Sequence, residues 1–448
     1  MILISAGRLY YNETSRRARK SSRRKRINRM QKTARRTEPA GKFFPNPQEE
    51  GIIMFNRQAY AMGAAPNKIR QIFEYGRQQA KLLGPDKVYD FSLGNPSIPA
   101  PEKVNRSIHQ LLDTESSIRI HGYTSGVGGD PLREAVAKNL SERFGVKARM
   151  ENIFLSCGAA PALQAVMVAL RTEKSEIIGI APYFMEYKAF AEANGSRFVP
   201  VPADLEKFQV NIPALAEAVN EHTQAVILNS PNNPSGAILT EETLRAVAEL
   251  LTERAARYGH PIYIIADEPY RELVYDGAKV TFIPTIYKDT IVCYSWSKSL
   301  SMPGERIGYV YVPDEATDSH ELFLAVAGAA RASGHICAPS LIQRAVAECI
   351  DCMPDLEAYQ VNRKLLYDGL TEIGYECVKP DGAFYLFVKT PGGDNGVFCE
   401  KAKSKNLLVV PSEPFGVEGY FRLGYCVSKE MIERALPVFR EVFEEMEK

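Results

Sequence analysis

Five short apolar runs, each ending in a polar or glycine-proline cluster, constrain the fold of this 448-residue chain more than any other feature. They read Ile153–Leu155, Glu176–Ala181, Ala225–Leu228, Ile262–Ala266, and the stretch TIVCYSW with Ile291, Val292, Tyr294 and Trp296. Apolar runs of this length predict buried strands, and the helical patterns between them predict an alternating α/β sheet. In such a sheet, ligands bind beyond the strand ends. The residues that follow the runs are therefore the candidate site.

Four of those ends carry a chemical cue. After Leu155, Gly158 permits a tight turn and Ala159-Ala160 open an apolar helix. Free backbone amides at such a helix start suit a phosphate, and the absence of GxGxxG argues against a dinucleotide. Ala225–Leu228 runs into Asn229 and an N-P-x-G turn at Asn233. Asp267 ends a buried run and needs either a partner or a helix terminus to cap. The last run leads into YSWSKSLSMPGERIGY, where Ser295, Ser297, Lys298 and Arg306 cluster. Hydroxyls and a guanidinium around one lysine suit a phosphate and leave the amine for chemistry.

Outside these runs the pattern varies. Ile69, Ile72, Phe73, Gly76, Ala80 and Leu83 predict a helix that Gly84-Pro85 ends. Val88–Leu93 reads as a strand stopped by Gly94-Asn95-Pro96. Tyr123 lies in a glycine-rich loop, and Asp130-Pro131 read as the cap and first turn of a helix. A long amphipathic stretch from about Ser340 to Ile373 leads to a second domain, with FYLFVK and GYFRLGYC as strands. Arg422 sits inside the latter between Phe421 and Leu423, and burial there demands an anionic partner, either a ligand or an internal carboxylate.

Charge separates the first residues from the rest. Residues 1–42 hold 14 Lys+Arg against 2 Asp+Glu, leaving residues 43–448 with 41 against 52. An acidic body of this kind argues against nucleic-acid binding. Residues 1–53 read as a basic, disordered extension, with an organellar, nuclear or nucleic-acid role open to such a composition. A further reading is that QEEGIIM back-translates to a purine-rich tract ahead of a start codon, which makes Met54 the true start. No apolar run reaches the ~18 residues of a membrane span. The eight cysteines are scattered, with one CxxC at Cys349 and Cys352, and the histidines form no metal-binding pattern. Buried thiols in a reducing cytoplasm, and no metal, are expected.

The segment Ser295, Ser297, Lys298, Gly304, Arg306, Gly308 resembles the lysine segment of the class I/II pyridoxal-phosphate-dependent aminotransferases. The glycine is displaced by one position. The other strand ends agree in order, so the resemblance spans nearly all of the chain after Met54. It implies the type I pyridoxal-phosphate fold: α/β, a large domain with a mostly parallel seven-stranded sheet, plus a smaller α+β domain. The corresponding boundaries are an arm at 54–95, a large domain at 96–330, and a linker helix with the small domain at 331–448. It further implies a homodimer with shared active sites and pyridoxal 5'-phosphate as cofactor.

Roles follow from the resemblance residue by residue. Lys298 holds the cofactor and serves as base, Asp267 meets the pyridine nitrogen, and Asn233 and Tyr270 meet the phenolic oxygen. Phe184 stacks on the ring, with Tyr183 or Tyr187 left open by spacing. Gly158, Ala159, Ala160, Ser295, Ser297 and Arg306 hold the phosphate, and Tyr123 reaches the neighbouring subunit's phosphate. Gly94 and Arg422 lie at the substrate carboxylate. An ungapped count puts Arg331 near the arginine that binds a second carboxylate across the interface, although a surface or interface-bridging arginine fits as well. The activity implied is amino transfer between an amino acid, of aspartate or glutamate type, and a 2-oxo acid. A carbon–sulfur β-lyase and an aminocyclopropane-carboxylate synthase-like lyase share these cofactor residues. A cofactor-sensing transcription regulator would need a DNA-binding core that the first 53 residues lack.

Overall fold

The computed structural model describes residues 55–64, 68–202 and 204–448. The chain divides into two compact units, Met1–Arg57 and Gln58–Lys448. The readings of residues 1–53, including the Met54 start, lie outside the described residues. Both main sheets and the site belong to the second unit.

Thirteen strands run through the described residues, beginning with β1 (Tyr89–Asp90), β2 (Ile153–Ser156), β3 (Glu176–Ala181), β4 (Arg197–Pro202) and β5 (Thr223–Asn229). They continue with β6 (Tyr263–Asp267), β7 (Thr290–Ser295), β8 (Gly308–Tyr311), β9 (Cys377–Val378) and β10 (Tyr385–Lys389). The last are β11 (Leu407–Leu408), β12 (Val410–Pro411) and β13 (Tyr420–Gly424). Seven of them form one sheet in the order β2-β8-β7-β6-β5-β3-β4, in which only β8 runs against its neighbours.

The continuous apolar runs are explained by burial on both faces. Val226, Leu228, Ile264, Ala266 and Val292 face a core shared with the helices Asp130–Phe144, Glu241–Tyr258 and Ser340–Glu348. The alternate residues Ala225, Ile227, Ile265, Ile291 and Cys293 face the helices Ala159–Ala169 and Ser319–Ala332. Each large apolar side chain buried this way contributes about 1.5–3 kcal/mol before ordering costs.

The second sheet, β12-β13-β10-β9, is antiparallel. It packs with the helices Leu356–Ile373, Asn395–Ser404 and Lys429–Met446 around Leu366, Phe398, Phe421 and Phe439. Near the start of the second unit, β1 pairs in parallel with β11, so early and late segments share this smaller α+β layer. The layers meet where the Asp381 and Gly382 amides donate to Gly236 O, the Tyr275 amide to Asp381 O and the Ala383 amide to Leu273 O.

Four local expectations are corrected. The Ser340–Ile373 stretch is two helices, Ser340–Glu348 and Leu356–Ile373, because Pro354 cannot continue a helix and Asp355 caps the second one at the Ala358 amide. Regular pairing near the start is confined to Tyr89–Asp90, since the Ser92 amide and hydroxyl both turn back onto Asp90 Oδ1. Trp296 leaves the strand and begins the short helix Trp296–Ser299, whose Ser297 amide donates to the Ser295 side chain. The cap of the helix Asp130–Phe144 is Gly129, one residue before the expected Asp130.

Among the described residues, no helix is long and apolar enough to cross a membrane, and no group of three or more His, Cys, Asp or Glu could hold a metal ion.

Candidate active site

The carboxyl edge of the parallel sheet converges on one cavity of about 330 Å³. Register explains the convergence, because Asn229 of β5 lies opposite Asp267 of β6, which lies opposite Cys293 of β7. Residues at and just beyond these positions therefore reach the same depth. Twelve of the fifteen expected site residues line the cavity: Gly94, Ala159, Ala160, Phe184, Asn233, Asp267, Tyr270, Ser295, Ser297, Lys298, Arg306 and Arg422.

One end of the cavity is built for an anion. The helix Ala159–Ala169 points its first amides there, and Gly158 precedes it at φ +97°. A Cβ on Gly158 would lie 2.8 Å from Arg306 Nη2, so glycine lets the guanidinium sit directly over the helix start. Arg306 is itself held by donation from Nη1 to Pro303 O at 2.9 Å. The Ser295 and Ser297 hydroxyls, 2.6 Å apart, add two more polar groups to the cradle.

Lys298 lies between this cradle and the opposite wall. Its Nζ donates to Gly94 O at 2.6 Å and stands 5.3 Å from the centre of the Phe384 ring. Burial pushes the amine down to about 8, with Arg422 and Arg306 adding to the effect and Cys426 opposing it. A neutral amine is thus accessible near ordinary pH, as a nucleophile or base requires.

Asp267 is 4% exposed, and its Oδ2 accepts from the Tyr187 hydroxyl. Its Oδ1 is buried with no hydrogen-bond partner. Burial pushes the carboxyl up to about 7, with Glu268 adding to the shift and the Tyr187 hydroxyl opposing it. A cation at Oδ1 would offset this burial. The strand end is locked from behind, because Asn229 Nδ2 donates to Asp267 O and Asn229 Oδ1 accepts from the Asn233 amide.

Arg422 closes the cavity from the second sheet. Its guanidinium is 4.5 Å from the Tyr385 ring centre and 5.3 Å from that of Phe415. Nη1 donates to Asn233 Oδ1 at 3.0 Å and Nη2 to Ser92 O at 2.6 Å, while Nε has no partner. The residue is 2% exposed and, among the described residues, meets only neutral acceptors, so the internal salt bridge that the sequence left open is not made among them.

Three expected residues fall outside the cavity lining. Gly158 shapes it from behind. Tyr123 is 98% exposed in its loop, and Arg331 is exposed in the last turn of the helix Ser319–Ala332. Neither reaches the site of its own chain. Sequence reasoning missed Tyr385, whose hydroxyl lies 3.1 Å from that of Tyr270 and 1.8 Å from where a Cβ on Gly94 would sit. Asn229 was visible in its turn but had no role. Of the three aromatic residues open by spacing, Phe184 lines the cavity, Tyr187 reaches Asp267, and Tyr183 lies elsewhere.

These residues fit pyridoxal 5'-phosphate: an unpartnered carboxylate oxygen for a protonated ring nitrogen, a glycine-shaped cradle for a phosphate, and a depressed lysine between them. Sheet order and carboxyl-edge site together define a type I pyridoxal-phosphate enzyme. Residues 86–439 match the family model described as aminotransferase class I and II. The chain belongs to that family, and it is a pyridoxal-phosphate-dependent aminotransferase.

A probable aspartate/prephenate aminotransferase of Aquifex aeolicus is 31% identical over 80% of this chain and 92% of its own. The aromatic-amino-acid aminotransferase 2 of Thermococcus litoralis is 28% identical over 85% and 96%. The crystal structure of an aminotransferase from Eubacterium rectale is 49% identical, covers 88% of this chain and all of its own, and superposes with a TM-score of 0.86.

Proposed function

We propose that the enzyme is a homodimer that moves an amino group from an L-amino acid to a 2-oxo acid, with a preference for dicarboxylic substrates. The observation that carries the reading is Arg422, a buried guanidinium facing the cavity with no carboxylate of its own. A substrate α-carboxylate supplies the missing anion.

When bound, pyridoxal 5'-phosphate supplies a ring that takes up the electron pair left at the substrate Cα. The chain's residues do the rest. Lys298 holds the cofactor between turnovers and, once released, carries the proton to and from Cα. Asp267 keeps the ring nitrogen protonated, Asn233 and Tyr270 donate to the phenolic oxygen, and Phe184 covers the ring. The amides at Gly158, Ala159 and Ala160 hold the phosphate together with Ser295, Ser297 and Arg306. Gly94 leaves room beside the substrate.

Dimerisation supplies what one chain lacks. Tyr123, almost wholly exposed, reaches a second copy's phosphate. Arg331 reaches a second copy's cavity and pairs with the distal carboxylate of aspartate or glutamate. The name of the Aquifex relative supports the dicarboxylate reading, and that of the Thermococcus relative favours aromatic substrates. Residues 96–330 form the large domain, 54–95 an arm that contributes to the smaller one, and 331–448 the linker helix and the small domain. Residues 1–53 are a basic extension by composition, dispensable for catalysis. The eight scattered cysteines, none of them in a disulfide among the described residues, support a reducing, cytoplasmic setting.

Two substitutions test this. Lys298→Ala should abolish turnover and the visible absorbance of the lysine-bound cofactor, and retained turnover refutes the assignment. Arg331→Leu should lower kcat/KM for aspartate roughly a hundredfold while sparing apolar amino acids. Equal losses for both classes, or a wild type preferring aromatic or neutral substrates, reject the specificity.

A further inference from the structure

We infer that Tyr187 is a positioning residue for the cofactor: its hydroxyl fixes the Asp267 carboxylate so that Oδ1, and not Oδ2, meets the ring nitrogen.

The geometry is specific. Tyr187 is 1% exposed and Asp267 is 4% exposed, and the tyrosine hydroxyl donates to Oδ2. Oδ1 has no partner and lies on a residue that lines the cavity. The carboxylate thus has one oxygen committed to the protein and one left over. The Tyr187 amide donates to Phe184 O, and the two rings meet edge-on at 5.6 Å. One turn therefore carries both the ring that lines the cavity and the hydroxyl that orients the carboxylate. Asn229 fixes the Asp267 main chain through Asp267 O, whereas the carboxylate depends on Tyr187.

The bond also has a charge consequence. A hydroxyl donating to a carboxylate favours the ionised form, against the burial that favours the protonated one. The other titratable groups facing Asp267 are Glu268 beside it, Tyr270, and Cys293 across from it on β7. None of the three is a cation. Among the described residues, it is Tyr187 that donates a side-chain hydrogen bond to the Asp267 carboxylate and steadies the anion before the cofactor arrives. Without that hydroxyl, a larger fraction of Asp267 is neutral, and a neutral carboxyl holds the ring-nitrogen proton less firmly.

This rests on the reading of Asp267 as the ring-nitrogen partner, so the test separates the two. Tyr187→Phe removes one oxygen and keeps the ring, and Asp267→Asn provides the second arm of a double-mutant cycle. Affinity of the cofactor-free protein for pyridoxal 5'-phosphate is read from quenching of Trp296, the chain's single tryptophan, two residues from Lys298. Circular dichroism confirms that each variant is folded. Tyr187→Phe should weaken binding roughly tenfold or more, and the pH midpoint of the bound cofactor's visible absorbance should rise. On the Asp267→Asn background the same change should have little effect.

Wild-type affinity and midpoint in folded Tyr187→Phe overturn the inference, as does an equal loss on the Asp267→Asn background, which marks a packing effect. If Asp267→Asn itself leaves affinity and midpoint unchanged, the reading of Asp267 fails, and the role of Tyr187 with it.

Discussion

Replacing Arg422 with methionine should separate activity from stability. The residue is 2% exposed, its guanidinium lies against Tyr385 and Phe415, and among the described residues it bonds only to Asn233 Oδ1 and Ser92 O. In the substrate complex, loss of a buried charge pair costs about 2–5 kcal/mol. That corresponds to a drop in kcat/KM from about thirtyfold to several-thousandfold. In the substrate-free protein the balance differs, because methionine relieves the burial of an unpaired charge while two charge-assisted hydrogen bonds disappear. These terms oppose each other and leave a net change of about 2 kcal/mol or less. Had Arg422 been in an internal salt bridge, breaking it would cost about 3–5 kcal/mol.

The assay is paired: steady-state kinetics, and thermal unfolding of the holoenzyme with and without a 2-oxo acid. Wild type should gain Tm from the 2-oxo acid, whereas Arg422→Met should start near the wild-type Tm and gain almost nothing. Retention of kcat/KM within about threefold, or an equal ligand-induced Tm gain in both proteins, refutes the reasoning.

Two further outcomes follow from the same geometry. Lys298 releases its proton at about 8 in the folded, cofactor-free protein but at 10.5 when unfolded, so the unfolded chain binds more protons between these values. Its contribution to stability therefore rises as pH goes from about 8 towards 10.5, and Lys298→Met should flatten that part of the Tm–pH profile. Gly158→Ala places a Cβ 2.8 Å from Arg306 Nη2 at a φ of +97°, so cofactor affinity should fall roughly tenfold or more by Trp296 quenching. Wild-type affinity there would show that the cradle has slack.

The sheet was legible because its central strands are buried on both faces and must be apolar throughout, which also makes their polar ends conspicuous. Asp267, Asn233 and Lys298 stand out for that reason. Tyr385 did not, and Tyr187 stood only as an alternative ring-stacking residue, since a tyrosine's hydroxyl role stays hidden until its partner is known. That partner comes from a distant segment in each case: Tyr270 for Tyr385, Asp267 for Tyr187. The split at Pro354 was written in the sequence, but the amphipathic pattern on either side of it hid the boundary. Tyr123 and Arg331 are exposed and lie outside the lining of their own chain's cavity, so only the resemblance offered them a role.

The junction around Gly236 and Gly382 bears on how this scaffold can be engineered. A Cβ on Gly236 would meet Pro380 at 2.5 Å and Tyr385 O at 2.9 Å, and one on Gly382 would meet Leu273 O at 2.8 Å. Three loops, those following Asn233 and Tyr270 and the one leading to Tyr385, thus share a seam with no slack in length. An inserted residue in any one of them shifts the other two, and with them three walls of the cavity. Loop grafts and tag insertions belong instead at open turns such as Gly259 or Gly277, where an added side chain would meet nothing within 4 Å apart from the strain of a positive φ.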